Sequence, residues 1–172
     1  AGRLFARHDP LAQADDIWPA TLWREAEEAG FTLALLTEDQ GGFGFSPAEA
    51  LAPVRIAAAQ AVPLPLGETA LANWLLATAG LEPVEGPLGL STDGRAVPFG
   101  RHLAGLVMLD AQGETLTLSR PTAPDWQHGS NIAGEPRDSL AVPAEIIASA
   151  PAPVTPATLR ALLAALRSVQ LA

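Results

Sequence analysis

The chain has no cysteine, no lysine and a single methionine among its 172 residues. Without cysteine it can form neither a disulfide framework nor a Cys-based zinc site, and nothing marks a secretory compartment, so a cytoplasmic location is the expectation. All ten basic residues are arginine and face nineteen acidic ones, and a net charge of −9 disfavours any sequence-independent grip on phosphate backbones. Nucleic acid is therefore not an expected partner. No apolar run reaches the roughly eighteen residues that a membrane span requires, and the first ten residues lack the apolar core of a signal peptide. What the chain does have is 48% hydrophobic side chains, enough for one compact domain or two small ones, which excludes global disorder.

The N-terminal half carries helical periodicity. Leu22, Trp23, Ala26 and Ala29 repeat at helical spacing, and Gly30 stands where a left-handed cap would end the helix. Pro19 suits the first turn, and Asp15 and Asp16 just upstream favour the positive end of the helix dipole over a metal or acid–base role. Phe31 to Leu36 reads as a buried extended segment, followed by a structured glycine loop through Phe45. Ser46-Pro47-Ala48-Glu49 matches a capping box, so a second helix starts there, and Pro53 inside it predicts a kink or irregular turn. Val62 to Leu66 reads as a buried connector, since its prolines hold the preceding residues extended. Leu71, Ala72, Leu75, Leu76 and Ala79 make a third helical stripe that stops at Gly80.

After Pro83 the texture turns to glycine, proline and β-formers. Leu103–Leu109 and Thr115–Leu118 read as a hairpin about the turn at Asp110–Gly113, with a further strand over Ser139–Val142, so the segment from about Pro87 to Val142 is expected to be a small sheet or partial barrel. Pro151–Pro156 reads as a linker, after which Thr155 caps a helix whose Leu159, Leu162, Leu163, Leu166 and Val169 lie on one face. That stripe is expected to require a partner surface outside the chain. The resulting fold class is α+β: an all-helical domain at 1–84, a shortened antiparallel β-domain at 85–150, and at 151–172 a linker and the first helix of a further helical bundle.

Few residues suggest chemistry. His8, His102 and His128 stand apart, with no partner at a metal-ligand spacing, so no metal site is expected. The G-x-S-x-G, G-x-x-x-x-G-K-[ST] and G-x-G-x-x-G patterns are all missing. Gly41-Gly42-Phe43-Gly44 precedes a helix, as phosphate loops do, but Glu38 and Asp39 beside it favour a sharp turn of positive-φ glycines. Glu25, Glu27 and Glu28 read as a solvated helix surface. Arg101 and Arg137 suit a pyrophosphate or carboxylate, while Arg137 has Glu135 and Asp138 as equal claimants.

The order helix, Ala29-Gly30-Phe31, apolar segment, then Thr37-Glu38-Asp39-Gln40-Gly41-Gly42-Phe43-Gly44-Phe45-Ser46 resembles the N-terminal domain of acyl-CoA dehydrogenases, whose pattern is A-G, apolar stretch, P-E-x-x-G-G-x-G-x-S, helix. Leu64-Pro65-Leu66-Gly67-Glu68-Thr69 is similar to the family's P-L-x-E-T, and Asn131 to Asp138 to the end of its middle β-domain. The resemblance implies FAD as cofactor, an acyl-CoA thioester as substrate, and removal of hydrogens from its Cα and Cβ, in lipid metabolism. It also implies an oligomer, either of identical chains or with a second acyl-CoA dehydrogenase subunit. Three departures accompany it. The family's T-E-P-x-x-G-S-D flavin segment has no counterpart between Gly80 and Gly94. The flavin-facing strip falls on Pro98, Phe99, Gly100 and Arg101, where Phe99 replaces the family's hydroxyl residue. The catalytic carboxylate of most members belongs to the C-terminal domain, so no catalytic residue is assigned here and the chain by itself is expected to be inactive. A non-catalytic assembly subunit, and a small α+β binding module of unrelated function, are the competing expectations.

Overall fold

A computed structural model describes residues 1–6, 18–132 and 134–171. His8, Asp15 and Asp16 lie outside the described residues. After a helical turn α1 (Gly2–Phe5), helix α2 spans Ala20–Glu28 and buries Trp23 and Ala26. Gly30, at φ +76°, ends it, and the ring of Phe43 packs so close that a Cβ on Gly30 would collide with it. Phe31–Leu36 is not extended, as its composition suggested. It begins with a 3-10 turn at Phe31–Leu33, whose Leu33 N–H donates to Gly30 O at 3.1 Å, and Leu36 N–H donates to Leu33 O at 3.0 Å. Local bonds thereby satisfy backbone groups that a strand would have to pair elsewhere.

The glycine loop is a turn, as its residues implied. Thr37 and Gln40 cap a 3-10 turn at Glu38–Gln40, Gly41 and Gly44 take positive φ, and Gly42 lies against the Leu36 backbone with no room for a Cβ. The Ser46–Glu49 capping box forms in full, with Ser46 N–H donating to Glu49 Oε2 at 3.0 Å. These bonds from Ser46 hold the Glu49 carboxyl below its usual range. Pro53 acts as expected: α3 (Pro47–Ala50) gives way at Leu51 to α4 (Ala52–Ala59).

Helix α5 (Leu66–Thr78) is the axis of the molecule, buried on nearly every side. Two polar residues stitch it to its neighbours. Thr69 Oγ1 accepts from Leu88 N–H at 3.0 Å and donates to Leu88 O at 3.2 Å, and Asn73 bridges Thr32 O and both backbone groups of Val84. Each buried donor or acceptor met in this way avoids a cost of about 1–3 kcal/mol. Glu27 also departs from its solvated reading, because its Oε1 accepts from Gly86 N–H at 2.6 Å and ties α2 to the segment before the sheet.

The β region holds the expected hairpin within two small sheets. β1 (Leu88–Ser91), β3 (Gly105–Leu109), β4 (Thr115–Arg120) and β7 (Glu145–Pro151) form one sheet in the order β1-β3-β4-β7; β2 (Val97–Pro98), β5 (Trp126–Gln127) and β6 (Arg137–Leu140) form a second in the order β2-β6-β5. Pairing is antiparallel except between β1 and β3. Strand β7, which carries the β-formers Ile146 and Ile147 and pairs with β4, lies where no strand was expected, and because it extends to Pro151 the linker before the last helix is shorter than expected. Leu88, Leu90, Val107, Leu109, Leu116 and Leu118 of the larger sheet pack on α5 in one core.

The C-terminal helix α6 (Pro156–Leu171) starts at the expected cap, with Thr158 N–H donating to Thr155 Oγ1 at 3.1 Å. Two residues of its apolar stripe are covered by the chain itself, while Leu162, Leu163 and Val169 stay half-buried. Leu159 is fully buried in the α5–sheet core, and Leu166 is buried in a second core with Trp23, Val54, Ala57, Leu64 and Leu66. The helix folds back over α4 and α5.

Candidate functional site

The four residues Pro98–Arg101 sit where strand β2 leaves the smaller sheet. Phe99 is left-handed at φ +55°, an unusual conformation for a bulky side chain, and starts a 3-10 turn over Gly100–His102. Three of the strip's features turn inward. Phe99 N–H donates to Pro136 O at 3.1 Å, Pro98 has no N–H, and a Cβ on Gly100 would collide with Asp138 and Trp126. Arg101 forms a fork with the fully buried Asp138, Nε to Oδ2 at 3.0 Å and a terminal nitrogen to Oδ1 at 2.8 Å, and its own N–H also donates to Oδ2 at 2.8 Å. Gly129 N–H completes the carboxylate's bonds at 3.0 Å. Burial alone would push the Asp138 carboxyl up, but the Arg101 bonds and charge, with the Gly129 amide, hold it below the usual range. Breaking such a pair from one side costs about 3–5 kcal/mol.

Trp18 stacks on His102, with ring centroids 5.1 Å apart, and meets Phe99 edge-on at 6.2 Å. Arg137 is held by Glu135 at 2.9 Å, the local pairing its neighbours allowed. No group of three or more metal-ligating side chains occurs among the described residues. None of their helices is long and apolar enough to cross a membrane.

Two cavities, each of about 280 Å³, flank the α5–α6 crossing. The first is a cleft reached by Pro98, Phe99, Glu135 and Arg137 on one side and by Val54, Ala57, Leu64, Leu66, Glu68 and Gln170 on the other. The second is an apolar groove lined by Leu35, Phe45, Leu51, Gly67, Leu71, Trp74, Leu162 and Leu166. At the crossing Gly67 is essential to the approach, since a Cβ there would run into Leu166. Glu68 is the residue that the sequence pattern does not single out. It keeps some contact with solvent as a residue, yet its Oε2 is sealed and has no hydrogen-bond partner. Burial pushes its carboxyl up, against the pull of Arg137, Arg167 and Gln170. Glu68 belongs to the Leu64–Thr69 motif, but nothing in that motif signals a sealed oxygen. Asp138 was legible only as a neighbour of Arg137, because its true partner is distant in sequence.

No family model and no curated protein matches the chain. Its fold is nevertheless that of acyl-CoA dehydrogenases. It superposes on a chain of the ChsE4–ChsE5 complex from Mycobacterium tuberculosis with a TM-score of 0.70 at 17% identity, covering 98% of this chain and 56% of that one. It also superposes on a chain of a Tcur3481–Tcur3483 steroid ACAD variant with a TM-score of 0.55 at 20% identity, covering 98% and 55% respectively. The chain thus spans little more than half the length of these structures.

The Phe99 and Arg101 amides and the Arg101 fork are engaged inward, Pro98 has no amide, and the nearby Glu68 and Glu135 are carboxyls.

Proposed function

We propose that this chain is a portion of an acyl-CoA dehydrogenase-like flavoprotein acting in FAD-dependent α,β-dehydrogenation of an acyl-CoA thioester, and that it works as the assembly subunit beside a second dehydrogenase-like subunit. The observation that carries this reading is the inward engagement of Pro98–Arg101, above all the Arg101–Asp138 fork. A chain that uses these groups to hold its own sheet together would receive its flavin chemistry from elsewhere, the remainder of a longer gene product or a second subunit, and the assembly reading takes the latter. One of the structures it resembles is itself a two-component complex, which supports the same arrangement.

In this reading the apolar groove between α5 and α6 is the chain's own contribution to substrate binding. Its leucines and Trp74 would shield an aliphatic or alicyclic acyl group from water, a gain of about 25 cal/mol per Å² of apolar surface. The test is acyl-CoA-dependent reduction of an artificial electron acceptor by the complete gene product, alone and with the partner subunit. Activity only in the mixture is the expected result. Turnover by this gene product alone would favour the alternative, in which Pro98, Phe99, Gly100 and Arg101 themselves face FAD in a homo-oligomer.

A further inference from the structure

The apolar groove and the cleft beside Pro98–Arg101 draw on the same two helices from opposite sides of their crossing. Helix α5 lends Gly67, Leu71 and Trp74 to the groove but Leu66 to the cleft, and α6 lends Leu162 and Leu166 to the groove but Gln170 to the cleft. At the crossing itself the Leu166 side chain lies against Gly67, with no room for a Cβ between them. Leu166 faces the groove, yet it is only 4% exposed and is buried in one core with Val54, Ala57, Val62, Leu64 and Leu66, all of which line the cleft. On the α6 side the group between the two cavities is therefore one isobutyl side chain, and on the α5 side Gly67 has none.

An apolar chain gains about fourfold in affinity for each methylene it moves out of water, and the gain ends where a wall stops the chain. We propose that Leu166 is the specificity-determining residue of the groove: as its inner wall toward the cleft it sets the longest apolar chain the groove takes up, and a smaller residue there joins groove and cleft into one longer site. Leu166 holds this role only if the groove is the apolar-ligand site of the proposed function, and it adds to that reading the residue that limits the ligand's length.

Primary alcohols from butanol to decanol are the probes, titrated into the full chain and followed by the amide NMR shifts of Leu71 and Leu162 in the groove and of Ala57 and Leu64 in the cleft wall. In the native chain affinity is expected to rise about fourfold per methylene to a cut-off length and then level off, with Ala57 and Leu64 unmoved. Leu166→Ala is expected to raise the cut-off by about three carbons, the number that leucine carries beyond Cβ, so that the longest alcohols gain on the order of fiftyfold and shift Ala57 and Leu64 as well. Leu166→Val, which removes less and keeps the test open if Leu166→Ala fails to fold, should raise it by about one carbon, while the volume-conserving Leu166→Ile should leave it in place. Affinity that keeps rising to decanol in the native chain, or a cut-off that Leu166→Ala and Leu166→Val leave unchanged, would overturn the role of Leu166 while the groove stays a ligand site. If no alcohol shifts Leu71 or Leu162, the groove reading itself falls, and the role of Leu166 with it.

Discussion

At the scale of single residues, two carboxyls in opposite environments set how stability responds to pH. The Asp138 carboxyl is held below its ordinary value of 3.8, so its contribution is present above that value and is lost as pH falls through the lower, folded value. Asp138→Asn is therefore expected to lower stability at neutral pH by about 3 kcal/mol and to flatten the acid limb of the stability curve in denaturant melts from neutral to strongly acidic buffer. Glu68 has the opposite sign. Burial raises its carboxyl above the ordinary 4.5, so the favourable neutral state is fully present below that value and is lost as pH rises through the folded value. Arg137 and Arg167 reduce this loss without reversing it. Glu68→Gln should then melt at higher temperature than the parent in mildly alkaline buffer, with the difference vanishing below the ordinary carboxylate value, in paired thermal scans. A mutant less stable than the parent under alkaline conditions would contradict the assignment.

At the scale of elements, the features legible in the sequence are those that local chemistry decides. Gly30, the Ser46–Glu49 box, the break before Pro53 and the α5 stripe ending at Gly80 are all read from neighbours within a few positions, and all stand in the fold. The features that were not legible depend on residues far apart or on competition between local and distant bonds. Phe31–Leu36 coils because Gly30 and its own carbonyls satisfy it, β7 is a strand because β4 offers an edge, and α6 buries Leu159 and Leu166 because it returns to α4 and α5. The same limit applied to the strip: Pro98–Arg101 was chosen by resemblance alone, and the Arg101–Asp138 fork that holds it spans 37 positions and has no local signature. The cover over α6 is testable. Leu159→Ala should cost about 3 kcal/mol in urea unfolding, the value for truncating a buried leucine, whereas a face waiting for another domain would lose under about 0.5 kcal/mol. At the crossing, Gly67→Ala should cost about 1–3 kcal/mol by overpacking, and Leu166→Ala in the same chain should recover part of that loss.

For the whole molecule, a helical layer, α5 as the shared axis and two small sheets resemble the acyl-CoA dehydrogenase fold over nearly all of this chain, and Pro98–Arg101 is tied into its own sheet. The acidic, lysine-free surface adds nothing to that use beyond disfavouring nucleic acid. In the proposed function the flavin belongs to the partner. The most direct measurement is the flavin content, by absorbance and by release on denaturation, of the complete gene product purified alone and in complex with its partner subunit. A colourless protein alone and a yellow complex are expected, with the flavin unaffected by Phe99→Ala. A gene product that purifies yellow by itself, with FAD in proportion to chain and lost in Phe99→Ala, would contradict that placement of the flavin.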